Sequence, residues 1–538
     1  MNHALFVHEI LRIIFHYVWV IDRPAAWKPS RHRIPTLAAL ARTCQAFKEV
    51  ALDALWLNLD DLSPLIRCLP RDSWTMSYPL VSFYGLTSPL SEEEWLILRG
   101  YARRIRIFGS WNAPLKLDKT TTRMLCYPPT AEPLFPNIQR LDWADERRET
   151  FSFIRHLLGP KTTTLSIRVW DASWGTGELA VLASLKTLCP DVRAVTLPTS
   201  DNAHIHSIVS EVLCSWTKLT SVTCHTINES ALLHLGGLRS LETLSFKLDP
   251  RALGSSMQPL PDKFLNLSSL SVTSARLEDI RVLMLRLHWP LADLQVTVDR
   301  CPSHHEIRAF FTALKTSCNP DHLVAVAIDQ VPTTPSDRSP TFTLTIDDFS
   351  PLTCFGNFCS LHLDTGCPIQ LNGEDIMQLA GGWPRLETLS LNYVNGWRSS
   401  SGIAPLDLAK LVVKCSRLKT LDVMLNTKGF KKIPRDRPSG GFSLSPLWSL
   451  EVLDSKIEPA SIGPLAALLS DLFPKLRDLG SWRSESMAER PRAEEYMDRW
   501  SEVRGLVEQF AAVRTQERRF KDRGSDSKLE SMEDVSPE

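Results

Sequence analysis

A few short stretches carry residue types that could do chemistry. His304-His305-Glu306 places two imidazoles and a carboxylate in consecutive positions. A zinc-peptidase helix needs its two histidines four apart to present both on one face, and that spacing is absent. The stretch reads as a solvated turn after Pro302. Gly175-Thr176-Gly177-Glu178 has two glycines close together, but neither the Gly-Lys-Ser/Thr of a phosphate loop nor the third glycine of a dinucleotide fingerprint. Ser173-Trp174-Gly175 lacks the first glycine of a nucleophile elbow. The 12 cysteines are scattered with no CxxC pair and no metal-ligand or disulfide-framework spacing. Many sit among apolar residues, as Cys224 and Cys415 do, the pattern of reduced, buried thiols. No metal, no cofactor and no catalytic set is therefore expected. An enzyme would instead have to show a concave pocket lined by perturbed titratable groups.

Two further stretches are candidates for contact. Lys428-Gly429-Phe430-Lys431-Lys432 continues to Arg435 and Arg437, a basic loop suited to phosphate contact or nuclear import. Its plainer reading is a solvated insertion between structural repeats. The Pro-rich insertion at 331–340 is of the same kind.

The chain as a whole has 538 residues, too long for one globule and fitting about three domains or one extended array. Lys+Arg and Asp+Glu both count 61. A nucleic-acid partner, which calls for a basic excess, is not expected. Residues 4–21 are apolar but interrupted by His8, Glu9, Arg12 and His16, a poor signal peptide and a poor membrane span. An intracellular protein, cytoplasmic or nuclear, is expected, with no membrane partner and no strong sign of a homo-oligomer. The sequons at Asn228 and Asn266 then count as chance.

The elements that must position any functional residue announce themselves after about residue 135. A phrase returns: apolar, two variable residues, Leu, one variable residue, apolar. It reads Ile138-Leu141-Trp143, Leu219-Val222-Cys224, Leu241-Leu244-Phe246, Leu267-Leu270-Val272 and Leu291-Leu294-Val296. It returns as Phe358-Leu361-Leu363, Leu386-Leu389-Leu391 and Leu418-Leu421-Val423, with fainter copies at Val192-Val195-Leu197, Leu323-Val326-Ile328, Leu450-Leu453 and Leu476-Leu479. Its last two apolar positions lie two apart, which is strand alternation. The spacers read as helices, as in 227–238 and at the start of the helix-turn-strand stretches 372–391 and 407–423. One strand cannot bury its inner face alone, so copies must stack. This predicts an α/β leucine-rich-repeat-like solenoid of parallel strands alternating with helices.

Residues 1–60 leave this pattern. LFVHEILRIIF puts Val7, Ile10, Leu11, Ile14 and Phe15 at helical spacing; a Pro-containing loop follows at 22–35, then two helices ending near Trp56. Three short helices cannot bury all their apolar surface, so the unit needs a partner or a neighbouring domain. These residues resemble the F-box family. Glu9, Ile10, Leu11, Ile14 and Phe15 match its first part, and Leu40, Cys44, Phe47 and Trp56 its second. The continuation ALDALWLNLDDLSPLIRCLP is similar to the large F-box set of mushroom-forming fungi. The usual proline near the start, which pre-organises a first helical turn, is replaced by Val7-His8.

The resemblance implies a substrate-recognition subunit of a Skp/cullin/F-box ubiquitin ligase. Its N-terminal helices would dock to the Skp-type adaptor, and through it a cullin, while the repeats hold an unknown protein substrate. By the same resemblance Leu5, Val7, Ile10, Leu11, Ile14, Phe15, Leu37 and Leu40 divide between adaptor contacts and the core of the unit. The test this suggests is Asp at Ile10 and Phe15 together. The alternative is a non-catalytic repeat scaffold whose N-terminal helices only cap the array.

At the other end, Tyr496, Trp500, Val503, Val507, Phe510 and Val513 recur at steps of three and four, an amphipathic helix suited to cap the last repeat. The expected organisation is a helical docking unit over 1–60, a linker or degenerate first repeats over 61–134, and the solenoid over 135–485. The capping helix follows over 486–520, and a disordered tail over 521–538.

Overall fold

A computed structural model describes residues 7–20, 33–77, 83–109, 115–130, 132–168, 174–253, 263–331, 342–433 and 445–533. Leu5, Ser173, the insertion 332–340 and the basic-loop residues Arg435 and Arg437 lie outside the described residues. The chain divides into two compact units, Met1–Ala252 and Leu253–Glu538.

Each unit is a leucine-rich-repeat-like array of parallel strands alternating with helices. In the first, strands Asn58–Leu59, Ile107–Phe108, Arg140–Trp143, Thr164–Ile167, Ala194–Thr196, Ser221–Thr226 and Thr243–Lys247 lie side by side in chain order. The apolar residue of each phrase falls into one ladder, Leu59, Phe108, Leu141, Leu165, Val195, Val222 and Leu244 in mutual register. In the second unit the same ladder runs Leu270, Leu294, Val326, Leu361, Leu389, Leu421, Leu450 and Leu479. All fifteen are buried. Burying a leucine contributes about 1.5–3 kcal/mol, so each ladder is a continuous strip of favourable burial within its unit.

The turn into each strand is fixed by the backbone. The carbonyl just before one strand accepts two successive N–H groups of the next repeat. Glu387 O takes Lys419 N and Thr420 N at 2.8 and 3.1 Å, and Lys419 O takes Trp448 N and Ser449 N at 3.0 and 3.2 Å. The pattern needs no particular side chain, which is why the turn residues vary so freely.

The parallel array begins at Asn58–Leu59, well ahead of residue 135. Its first two strands are only two residues long, too short to show a period. Between them lies an antiparallel ribbon, Trp74–Ser77 against Phe83–Leu86.

At the C-terminal end one helix spans Ala493–Glu533. Trp500, Val503 and Val507 are buried, and the helix packs on Ile462–Leu472. Trp500 Nε1 donates to Ser455 O at 2.9 Å, and Arg514 donates to Ala467 O at 3.0 Å. The helix runs past residue 521 to Glu533, and 534–538 lie outside the described residues.

Candidate docking site

The N-terminal residues form three helices, α1 (His8–Val20), α2 (Arg33–Thr43) and α3 (Gln45–Leu55). Cys44, with extended backbone, separates α2 from α3. Leu11, Phe15, Leu37, Val50 and Ala51 form the buried core, with Val18, Leu40, Ala41, Phe47, Ala54 and Leu55 packed around it. The Phe15 and Phe47 rings meet edge to face at 5.6 Å.

The sequence-predicted residues therefore separate. Leu11, Phe15 and Leu37 are core, Leu40 is half-buried on that core, and Leu5 lies outside the described residues. Val7, Ile10 and Ile14 are exposed. Two residues passed over in the sequence join them, Ile13 and Tyr17, at 57% and 56% exposure. Positions 10, 13, 14 and 17 follow the i, i+3, i+4, i+7 spacing of one helical face. The sequence pattern groups Val7, Ile10, Leu11, Ile14 and Phe15, and packing divides that group between core and surface. A helix with one apolar stripe spent on its own core and a second facing outward carries surface that folding alone does not use.

The unit is also anchored. Arg104, from the first repeats of the same compact unit, donates to Glu49 Oε2 at 2.6 Å and to Asp53. Its guanidinium holds the Glu49 carboxyl below the ordinary glutamate range. The Trp56 ring lies 4.8 Å from Tyr101. These contacts fix α3 and leave the outer stripe of α1 uncovered.

The catalytic-looking stretches resolve into helix starts. His304 and His305 open the helix His304–Ser317 rather than a turn, because Ser303 caps it and Glu306 folds back to accept from Ser303 N at 2.8 Å. The Ser-x-x-Glu capping box was present in the sequence. Glu178 likewise accepts from Gly175 N at 2.8 Å at the start of Thr176–Leu188. Asn228, in one chance sequon, accepts from Ala231 N at 2.9 Å and caps Glu229–Gly237. A groove of about 420 Å³ on the helices Leu277–Leu285 and His304–Ser317 has no carboxylate or thiol in its lining.

All 12 cysteines are free, and Cys189, Cys224, Cys318, Cys367 and Cys415 are buried. Folding brings together a pair that spacing did not suggest, Cys301 and Cys367, with sulfurs 3.6 Å apart. Of the tryptophans beside strand phrases, Trp143, Trp216 and Trp383 are core, and Trp448 is exposed. In the basic loop, Lys431 pairs with Glu458 at 3.1 Å. Among the described residues no helix is long and apolar enough to cross a membrane.

In comparisons of sequence, no family model and no curated protein matches the chain. In comparisons of structure it is similar to an internalin from Listeria monocytogenes, at 15% identity and a TM-score of 0.34, over 67% of this chain and 88% of that one. It is similar to the Rad7 and Elc1 complex in yeast, at 10% identity and a TM-score of 0.33, over 63% and 82%. The leucine-rich-repeat protein LegL7 from Legionella pneumophila gives 12% identity and a TM-score of 0.30, over 55% and 93%.

Proposed function

We propose that this chain is the substrate-recognition subunit of a Skp/cullin/F-box ubiquitin ligase, docking a Skp-type adaptor through α1 and holding a protein substrate on its repeats. The observation that carries the reading is the second apolar stripe of α1, Val7, Ile10, Ile13, Ile14 and Tyr17, outward-facing on a helix whose other side is core. It coincides with the stretch whose residues resemble an F-box. Apolar side chains presented at helical spacing suit a helical groove or bundle on a partner.

A second reading is favoured by a different observation. α3 is held to the first repeats by Arg104 and by Trp56 on Tyr101, as a simple cap of the array would be. In that reading the protein is a non-catalytic scaffold and α1 meets nothing.

Capture of the full chain by a co-expressed Skp-type adaptor separates the two. Phe15 is unsuited to the test, since a charge there would break the core rather than the surface. Ile10→Asp with Ile14→Asp is expected to abolish capture. Val413→Asp, at an exposed apolar site on the helix Asp407–Lys414, is expected to leave it unchanged. Capture that survives the Ile10/Ile14 pair would sink the docking claim and favour the scaffold.

A further inference from the structure

The last strands of the second unit, Thr388–Leu391, Thr420–Asp422, Ser449–Glu451 and Asp478–Gly480, are entered along one rim. At each entry the residue before the strand gives its carbonyl to the next repeat. Glu387 O accepts from Lys419 N at 2.8 Å, Lys419 O from Trp448 N at 3.0 Å, and Trp448 O from Arg477 N at 2.9 Å. Glu387, Lys419, Trp448 and Arg477 are therefore successive rungs, one position ahead of Thr388, Thr420, Ser449 and Asp478, which pair in register. Neighbouring strands lie about 4.8 Å apart, so side chains on adjacent rungs can meet. Lys419 Nζ does reach Glu387 Oε2, at 2.6 Å.

On this rim Trp448 is 48% exposed, and among the described residues it is the only exposed tryptophan. Leu447 and Leu450 on either side of it are buried, so the backbone that presents the indole is fixed by the core. A large apolar ring held rigidly in water gives up burial that folding could have used. Such rings are the usual anchors of protein interfaces, because they bring much contact area and lose little conformational freedom on binding.

Cations flank the ring. Lys419 and Arg477 occupy the rungs on either side of Trp448, and Arg417 and Lys475 stand two positions earlier on the same two segments. Arg385 has the corresponding place before Glu387. All five are exposed. The side chains of Arg385, Arg417, Lys475 and Arg477 have no hydrogen-bond or ion-pair partner among the described residues. Of the nearby carboxylates, Glu387 is taken by Lys419, and Asp478 by Arg483 at 2.6 Å. The chain carries 61 basic and 61 acidic residues, so this excess of positive charge is local to the rim. Like charges so grouped repel one another and favour an anionic occupant.

We infer that the rim around Trp448 binds an acidic segment of a partner protein, which packs an apolar or aromatic side chain on the indole and sets carboxylates against Arg417, Lys475 and Arg477. A peptide fits this rim better than a nucleic-acid strand, which stacks successive bases on successive rings, whereas one ring is presented here. The inference rests on the reading of the repeats as a protein-binding surface, and it names the chemistry of the segment they bind.

The test uses the full chain and three fluorescent probes: a peptide alternating Glu and Ser around a central Phe, its counterpart with Lys for Glu, and an oligothymidylate of similar length. Anisotropy is read at about 50 mM and about 300 mM salt. Saturable binding of the Glu peptide, weakened by salt, is expected, with none of the Lys peptide and at least about tenfold weaker binding of the oligothymidylate. Trp448→Ala is expected to weaken binding of the Glu peptide about tenfold or more at both salt concentrations. Arg417→Gln with Arg477→Gln is expected to weaken it about tenfold and to flatten its salt dependence. All three positions are exposed, so these variants should keep the wild-type fold. Arg155→Gln with Arg193→Gln removes the same charge from exposed sites of the first unit and should change binding less than about twofold. Absence of saturable binding of the Glu peptide would overturn the inference, as would equal binding of the oligothymidylate or of the Lys peptide. Unchanged binding by either rim variant, or equal weakening by the first-unit variant, would overturn it as well. Adaptor capture by α1 is scored separately on the same proteins. Peptide binding without adaptor capture would fault the ligase reading and leave this surface standing.

Discussion

Ile10 and Phe15 lie five positions apart on α1 and meet opposite surroundings, one exposed and one in the core against Phe47. Phe15→Ala should destabilise the N-terminal unit by about 3–5 kcal/mol, the usual cost of truncating a buried ring. Ile10→Ala should lie within about 0.5 kcal/mol of wild type, as exposed positions do. Chemical denaturation followed by helical circular dichroism measures both. Equal losses would mean that the outer stripe is packed after all. Glu451 makes a prediction of a different kind. Burial above all raises its pKa from 4.5 to about 7, so the folded chain holds this proton more tightly than the unfolded chain. Its contribution to stability is therefore greatest at low pH and is lost as pH rises from about 4.5 through about 7, by roughly 3 kcal/mol at most. Between pH 5.5 and 8 wild type should lose more stability than Glu451→Gln. If the two curves run parallel, Glu451 is already ionised and compensated in the fold.

At the scale of elements, α3 joins the three-helix unit to the repeats, and Arg104 is its polar link. Arg104→Ala removes a guanidinium with 9% of its side chain exposed. Its partners Glu49 and Asp53 are exposed enough to regain water, so the loss should be about 1–2 kcal/mol and local. Limited proteolysis is expected to clip the chain sooner within residues 33–56, with cleavage of the second unit unchanged; unaltered clipping there would show that Trp56 on Tyr101 suffices. The elements also show what sequence could reveal. The strand phrases were legible because a buried residue must recur at the same register in every repeat, so Leu389 and Leu421 declare each other. Strands of two residues, such as Ile107–Phe108, have no period to display. The split of α1 into a core face and an outer face was half legible, since spacing gives the faces but not which one the neighbouring helices cover. That Ser390, Asp422 and Glu451, each one position past the leucine ladder, stand in mutual register was not legible. Those three residues are 29 to 61 positions apart in the chain, and only the register makes them neighbours.

At the scale of the molecule, stability in a repeat array is a sum of single-repeat terms and nearest-neighbour interfaces, so damage at one end should spread only as far as the next few repeats. The helix Ala493–Glu533 closes the end of the second unit. Trp500 is its anchor, buried and donating to Ser455 O, the same carbonyl that Trp482 Nε1 reaches at 3.0 Å. Trp500→Ala opens a cavity beneath that helix and removes one of two donors, at a cost of about 3–5 kcal/mol. Hydrogen exchange should then rise in Ser449–Glu451, Ile462–Leu472 and Asp478–Gly480, which lie under or beside the cap. The strands Ser269–Ser274 and Asp293–Val298, at the other end of the same ladder, should keep their protection. A uniform rise across residues 263–480 would instead show that the second unit unfolds as one block. Its leucine ladder would then act as a single cooperative core rather than as a chain of neighbours.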